Sequence, residues 1–211
     1  MHNNKKIIVF DLDGVLINSK KNMQLSLELT NKILDLDISF KEYEKYIGLP
    51  FRKILKNLGV KKNQKLIEKT YKNISLKNLR KIHVKKSIIK ILKRLKKRYD
   101  LAIFTSKDKT RTLRILKTEK KLFNYIVTPQ DVNYGKPNPQ GLKIIRLKGG
   151  YEKKNMIYVG DSEYDFLAAK KMKIKYLHAT WGYSSKFFRN INIHKIKKIE
   201  EIEKVSLNFF N

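Results

Sequence analysis

Short apolar runs separated by amphipathic segments are the main pattern along this chain of 211 residues. The first run, at residues 7–10, is too short for a helix and consists of the branched and aromatic residues that favour strands. From residue 87 onwards, similar runs alternate with helical spacings, which predicts a parallel, doubly wound α/β sheet. The candidate strands are 101–105, 125–128, 156–159 and 175–179, and the candidate helices are 87–98, 109–118, 139–147 and 163–172.

A different pattern covers residues from about 19 to 80, where no strand-like run occurs and apolar residues recur at helical spacing. Ser39 followed by Glu42 has the form of a capping box that opens a helix ending near Gly48. We therefore expect an all-helical cap domain inserted after the first strand, over the carboxyl edge of the sheet. Its predicted bounds are 18–82, and the α/β core then comprises 1–17 and 83–211.

Composition narrows the class of protein. An apolar fraction of 41% is sufficient for a real core. The chain has no cysteine, which excludes a disulfide framework, a thiolate metal site and a cysteine nucleophile. Its N-terminus lacks the pattern of a signal peptide, and no stretch has the apolar length needed to cross a bilayer. We therefore expect a cytoplasmic protein that does not bind a membrane.

The formal net charge of +30 is unusual. The most specific interpretation of this charge is a surface that binds nucleic acid or another polyanion, with an affinity that falls steeply with salt. The lysines are, however, spread over every segment, and no basic stretch carries interleaved aromatic residues for base stacking. The pattern favours a composition-wide bias with solvated lysines, so we expect no specific nucleic-acid partner. The sequence gives no indication of the oligomeric state.

The candidate chemistry begins where the first apolar run ends, at Asp11 and Asp13. Residues two apart on an extended chain point to the same side, so the two carboxylates are expected to lie together at the sheet edge where ligands bind. Like charges held so close need a cation or a shared proton. The pair indicates a divalent metal together with a carboxylate nucleophile, although an aspartate-rich turn that caps a helix is the alternative.

Other strand ends carry polar residues as well. Thr105 and Ser106 follow the second strand and offer hydroxyl and N–H groups to phosphate oxygens. Lys136 is a cation in the stiff loop Gly-Lys-Pro. Asp161 and Asp165 form a second acidic pair with i,i+4 spacing, able to share a hard cation. Taken singly, Asp161 could be a helix N-cap and Asp165 a first-turn partner of the helix dipole.

These parts have the order and spacing of the haloacid dehalogenase superfamily, which the chain resembles from about residue 6 to 184. The resemblance rests on DLDGV, the threonine of LAIFTS, GKPNP and GDSEYD, together with the helical insert after DLDGV. Within the superfamily the chain is similar to the phosphoglycolate-phosphatase-type group with a small helical cap. One departure is the segment 80–84, which lacks the Pro-Gly turn common where the chain returns from cap to core.

The resemblance implies a role for each residue in phosphoryl transfer. Asp11 is expected to attack phosphorus and form an aspartyl-phosphate, and Asp13 to act as general acid and then general base. Lys136 is expected to neutralise the nucleophile and the transferring group. Thr105, with the backbone N–H groups of Leu12 and Ser106, is expected to bind the phosphoryl oxygens.

The same resemblance implies a Mg²⁺ site. Its expected ligands are Asp161, Asp165, the carboxylate of Asp11 and the backbone carbonyl of Asp13. In the cap, Arg52 is a candidate for binding the distal group of the substrate.

The expected function is therefore a Mg²⁺-dependent phosphatase acting on a small phosphorylated metabolite. A carboxylate at Asp13 excludes the dehalogenase and phosphonatase branches, which lack one there. The sugar-phosphate mutase branch keeps both aspartates and is the enzymatic alternative. A non-catalytic module that binds polyanions is the other. The substrate itself carries no motif, because specificity resides in cap residues.

Overall fold

A six-stranded parallel sheet forms the centre of the computed structural model, which describes residues 5–183, 187–188 and 190–210. The order of the strands is β3-β2-β1-β4-β5-β6, with β1 at the centre between β2 and β4. The strands are β1 (Ile7–Phe10), β2 (Asp100–Phe104), β3 (Tyr125–Val127), β4 (Met156–Gly160), β5 (Lys175–Ala179) and β6 (His194–Ile196).

Helices cover both faces of this sheet. Side chains alternate along β1, so that Ile8 and Phe10 enter one apolar cluster while Ile7 and Val9 enter another. The first cluster also contains residues of α5, α6 and α9, and the second contains residues of α7 and α8. These helices are α5 (Lys86–Lys96), α6 (Lys109–Leu116), α7 (Gln140–Gly149), α8 (Glu163–Met172) and α9 (Glu201–Phe210). The predicted doubly wound α/β fold is confirmed.

Between β1 and α5 the chain forms four helices, here called the helical insert: α1 (Lys20–Leu34), α2 (Phe40–Glu44), α3 (Phe51–Asn57) and α4 (Gln64–Lys77). They enclose a third apolar cluster, separate from the two on the sheet, in which Leu27, Leu55 and Tyr71 are buried. Tyr164 of α8 also belongs to this cluster and joins the insert to the carboxyl edge of the sheet. The division into two domains at 18–82 stays a prediction.

Some local expectations were wrong. The side chain of Ser39 makes no capping hydrogen bond, so the expected capping box is not formed, and α2 ends at Glu44, four residues before Gly48. Pro139 is the N-cap of α7 and not its first helical residue. Strand β6 and helix α9 were not predicted at all. Only three residues long and rich in polar side chains, β6 is recognised by its pairing with β5 and not by its own pattern.

No helix within the described residues has both the length and the apolar character that crossing a membrane requires.

Candidate active site

The carboxyl edge of the sheet brings the candidate residues together because its central strands are parallel neighbours. Asp11 directly follows β1, and its N–H donates to the carbonyl of Val159 on β4 at 2.8 Å. Thr105 follows β2 and is held by a 3.0 Å bond from its N–H to the carbonyl of Val127. Asp161 follows β4. Three segments far apart in sequence therefore meet at one edge.

Lys136 lies between two carboxylates. Its Nζ is 2.7 Å from Oδ1 of Asp11 and 2.7 Å from Oδ1 of Asp165, and all three side chains are buried. Burial raises the pKa of Asp11 to about 7, although the positive charge of Lys136 opposes the shift. Burial would lower the pKa of Lys136, but the charges of Asp11 and Asp165 raise it above its usual value. Lys136 therefore stays protonated beside the expected nucleophile.

A cluster of three carboxylates surrounds this lysine. Oxygens of Asp11, Asp161 and Asp165 lie within 4.8 Å of one another. Burial, reinforced by the charges of Asp165 and Asp11, raises the pKa of Asp161 well above its usual range. Because three buried acids share one lysine, ionisation of all three would leave an excess of negative charge. Because hard oxygen ligands in such a cluster are those that Mg²⁺ and similar cations prefer, the cluster fits a divalent metal.

Asp165 has a structural role as well. It forms a capping box with Ser162, the N-cap of α8: the Ser162 N–H donates to Oδ2 of Asp165 at 3.1 Å, and the Asp165 N–H donates to Oγ of Ser162 at 3.2 Å. The Ser162 hydroxyl also donates to Oδ2 of Asp165 at 2.6 Å. The hydroxyl of Tyr158 donates to its other oxygen at 2.6 Å. Although burial opposes it, the charge of Lys136 and these hydrogen bonds keep the pKa of Asp165 below its usual value. Asp165 thus occupies the first turn of α8, as its alternative role beside the helix dipole requires, and belongs to the acidic cluster as well, whereas Asp161 is not the N-cap.

Two glycines make room for Asp161. A Cβ on Gly14 would lie 2.2 Å from Oδ2 of Asp161, and a Cβ on Gly182 would lie 2.2 Å from its Cβ. Gly14 also has a φ of +86°, a backbone conformation that side chains disfavour. Next to Gly182, the N–H of Tyr183 donates to Oδ2 of Asp161 at 2.6 Å. The Asp161 carboxylate is thus fixed by backbone on two sides.

Asp13 faces a second, separate cation. Its Oδ1 is 3.1 Å from Nζ of Lys107 and also accepts a hydrogen bond from the hydroxyl of Ser19. Lys107 is almost fully buried, and burial lowers its pKa. Each of the two neighbouring aspartates therefore has its own lysine: Lys136 for Asp11 and Lys107 for Asp13.

The residues expected to bind phosphate occupy the loop after β2 and the turn after β1. Thr105 is buried, and its Oγ1 accepts a 3.1 Å hydrogen bond from the N–H of Lys107. The hydroxyl of Ser106 donates to the carbonyl of Gly48 in the insert at 2.6 Å. The phosphate contact expected of Ser106 involves its backbone N–H and not this hydroxyl. The side chain of Leu12 is fully buried in the core beneath the sheet edge.

A small cavity of about 50 Å³ lies between these residues of the sheet edge and the insert. Asp11, Asp13 and Thr105 line it from below. From above, the insert contributes an apolar and aromatic wall that includes Met23, Tyr43, Ile47, Phe51, Ile54 and Tyr71.

Arg52 is not part of this wall. Its guanidinium pairs with Glu68 and its side chain is 56% exposed, on the outer surface of the insert. The helical spacing that places Phe51, the preceding residue of α3, inside the insert turns Arg52 outward. The expectation that Arg52 reaches the distal group of a substrate is therefore corrected. The guanidinium that does line the cavity is that of Arg111 on α6.

Lys107 and Arg111 are the charged residues of the cavity wall that the sequence did not reveal. In a chain with 49 lysines and arginines, a single cation carries no signal of its own. The one feature of the sequence that places Lys107 near the site is its position two residues after Thr105.

A family model described as haloacid dehalogenase-like hydrolase matches residues 8–179. The chain belongs to this family. Among curated relatives, the phosphoglycolate phosphatase of Aquifex aeolicus is 32% identical over 192 residues, which cover 84% of this chain and 86% of that protein. The pyrophosphatase PpaX of Oceanobacillus iheyensis is 24% identical, over 92% of this chain and 94% of that one.

Solved structures agree on the architecture of this haloacid dehalogenase-like hydrolase. A structure from Lactobacillus plantarum superposes with a TM-score of 0.86 at 18% identity, covering 95% of this chain and 99% of that one. A haloacid dehalogenase-like family hydrolase from Streptococcus pneumoniae superposes with a TM-score of 0.80 at 20% identity, covering 96% and 99%. These likenesses concern the fold. With the family match and the curated relatives, the predictions of a haloacid dehalogenase-type fold and of a phosphatase-type hydrolase are confirmed.

Proposed function

We propose that this protein is a Mg²⁺-dependent phosphatase that hydrolyses a small phosphomonoester through an aspartyl-phosphate on Asp11. The observation that carries the proposal is the buried contact of Asp11 with Lys136 inside the carboxylate cluster. Asp13 lines the same cavity two residues further along the chain. A nucleophile, a cation beside it and a second carboxylate for proton transfer are the groups that this reaction needs.

In the first step, an oxygen of Asp11 forms a bond to phosphorus as the bond from phosphorus to the substrate's alcohol oxygen breaks. Asp13 donates its proton to the departing oxygen, so that a neutral alcohol leaves. In the second step, Asp13 takes a proton from a water molecule as the water oxygen attacks phosphorus. The bond between Asp11 and phosphorus breaks, inorganic phosphate is released, and Asp13 is protonated again.

The remaining residues position and neutralise the transferring group. Lys136, buried against Asp11, offsets the charge that spreads over the phosphoryl oxygens. Thr105 and the backbone N–H groups of Leu12 and Ser106 donate to those oxygens. Together they orient the phosphorus towards Asp11.

Asp161, Asp165, the Asp11 carboxylate and the Asp13 backbone carbonyl are the groups that would hold Mg²⁺. When bound, the metal supplies positive charge that lets the anionic Asp11 approach an anionic phosphate. Support for this part of the proposal comes from the excess of buried negative charge in the cluster and from the glycines that make room for Asp161.

The test is phosphate release from p-nitrophenyl phosphate by the purified protein. We expect turnover with Mg²⁺, its loss in EDTA, and a fall of at least about 10⁴-fold in Asp11→Asn. Asp37→Asn, the same chemical change at an exposed position of the insert, is the matched control and should retain full activity. If Asp11→Asn were as active as the control, the nucleophile would be another group. Isomerisation of a sugar phosphate without net phosphate release would instead identify a mutase.

A further inference from the structure

The cavity contains two cations to which the proposed hydrolysis assigns no contact with the substrate. Among the described residues that line it, the cationic ones are Lys107 and Arg111, and each is only 5% exposed. Lysine and arginine this buried are almost always paired, and each of these two has a carboxylate partner: Asp13 for Lys107 and Asp108 for Arg111. Lys136, which serves the nucleophile, lies deeper and does not line the cavity.

Local structure fixes Arg111 in place. Asp108 is the N-cap of α6, and its side chain accepts a 3.1 Å bond from the N–H of Arg111 as well as a bond from its guanidinium. A second guanidinium nitrogen donates to Oγ of Ser75 in the insert at 3.0 Å, and the guanidinium carbon lies 5.5 Å from the ring centre of Tyr71. A guanidinium has five N–H donors, more than these contacts use.

Lys107 is fixed in a similar way from the other side. Its ammonium contacts Asp13 at 3.1 Å, and its backbone N–H donates to the hydroxyl oxygen of Thr105. An ammonium has three donors, more than Asp13 uses. The rest of the cavity wall, from the insert, is mainly apolar and aromatic, so an anion entering the cavity finds these two cations and no competing carboxylate from above.

We infer that Lys107 and Arg111 form a subsite for a second anionic group of the substrate and thereby determine specificity. This inference rests on the proposed phosphatase function. Lys107 contacts both Asp13 and Thr105, so a second anion bound there lies close to the transferring phosphoryl group. The preferred substrate class is a compact phosphate ester or anhydride whose carboxylate or second phosphate is separated from the transferring phosphorus by a few atoms.

The test compares substrates that differ only in the second anion. 2-Phosphoglycolate and ethyl phosphate have similar size, and only the first carries a carboxylate; pyrophosphate offers a phosphate instead. We expect wild-type kcat/KM to be about tenfold to hundredfold higher for at least one of the two compounds that carry a second anionic group than for ethyl phosphate. Which of them is preferred identifies the anion.

Variants then assign the preference to the two residues. Lys107→Gln and Arg111→Lys should each reduce the ratio of kcat/KM values by about tenfold, chiefly through KM of the substrate with the second anionic group. Lys109→Gln and Arg114→Lys make the same chemical changes at exposed positions of α6 and should leave the ratio unchanged. Circular dichroism and thermal melting confirm that each variant is folded. If Arg111→Lys fails to fold, Lys107→Gln provides the test alone.

The outcomes separate this inference from the proposed function. If wild type hydrolyses all three substrates equally, or if the variants lower every rate and preserve the ratio, the subsite is wrong while the phosphatase function stands. If neither these compounds nor p-nitrophenyl phosphate is hydrolysed, the proposed function fails and the subsite with it.

Discussion

The two sides of the cavity are built on different physical principles. The sheet edge contributes buried charges, and each is held by an opposite charge or a hydrogen bond, as in the contacts of Asp11 with Lys136 and of Asp13 with Lys107. The insert contributes packed apolar and aromatic residues, such as Phe51 and Tyr71, whose ring centres are 4.3 Å apart. Charge is costly to bury and tolerates little displacement, whereas an apolar wall accepts changes of shape. The sheet edge thus holds the candidate catalytic charges, and the insert shapes the space around them.

The largest effect is expected when the charge balance of the sheet edge is broken. Lys136→Met leaves Asp11 and Asp165 buried without their cation, which should lower the free energy of unfolding by about 3–5 kcal/mol in EDTA and abolish phosphate release. Urea unfolding measures the first effect. Because a divalent cation would replace part of the missing charge, Mg²⁺ should stabilise this variant more than it stabilises wild type.

Lys148→Met, an exposed lysine on α7, is the matched control for Lys136→Met. It should change stability by less than about 0.5 kcal/mol. Equal losses in the two variants would mean that the buried charges are not what stabilises this edge.

Next in size is the effect of crowding a carboxylate. Gly14→Ala places a Cβ 2.2 Å from Oδ2 of Asp161 and should reduce kcat by about 100-fold through displacement of that side chain. Gly59→Ala provides the matched control in the insert. Gly59 has a similar positive φ of +76° but nothing within 4 Å of the added atom. The Gly59→Ala variant should lose roughly 1–2 kcal/mol of unfolding free energy through a comparable backbone strain and should keep full activity. Similar activities in the two variants would argue that strain, and not contact with Asp161, matters.

Removal of one hydroxyl from each region compares them directly. Tyr158→Phe deletes a 2.6 Å hydrogen bond to the charged Asp165, so it should cost about 1.5–3 kcal/mol and lower activity. Tyr71→Phe deletes a longer contact of 3.3 Å with the neutral hydroxyl of Tyr43 and should cost about 0.5–1 kcal/mol. Urea unfolding and p-nitrophenyl phosphate turnover measure both variants. A larger loss of unfolding free energy in Tyr71→Phe than in Tyr158→Phe would contradict the expected difference between the sheet edge and the insert.

The smallest expected effect concerns acid stability. His178 on β5 is buried against the ring of Phe188, and burial, with the charge of Lys195, lowers its pKa to about 4. The unfolded chain binds a proton near pH 6.5, so the stabilising contribution of neutral His178 is complete above pH 6.5 and is lost as the pH falls towards 4. The insert contains no histidine, which confines this titration to the sheet region.

Comparison with His178→Asn isolates the effect from the carboxylates, which titrate in both proteins. The difference in unfolding free energy between wild type and variant should shrink by roughly 1–2 kcal/mol between pH 7 and pH 4.5. A difference that does not change with pH would mean that His178 is not buried in its neutral form.

Much of the sheet region could be predicted from the sequence because its signals are local. Helix α8 and strand β5 have the predicted bounds, and the strand ends carry their polar residues next to the apolar runs that bury them. Asp11, Thr105 and Asp161 could therefore be assigned to one edge of the sheet from the order of the strands and residues alone. The insert was predictable only as a set of helices. Which face of each helix points inward depends on packing, and the prediction for Arg52 was wrong for that reason.

The sequence by itself determined the parallel α/β order, the helical insert and the acidic pairs, since hydrophobic periodicity and residue spacing are properties of neighbouring residues. Lys136 was expected from its loop, but only the tertiary structure distinguished Lys107 and Arg111 from the other lysines and arginines, 49 in all. Lys136 reaches Asp11 across 125 positions of sequence, and Arg111 reaches Ser75 across 36. Such contacts are selected by the requirement that buried charges be paired, and that requirement acts in space and not along the chain.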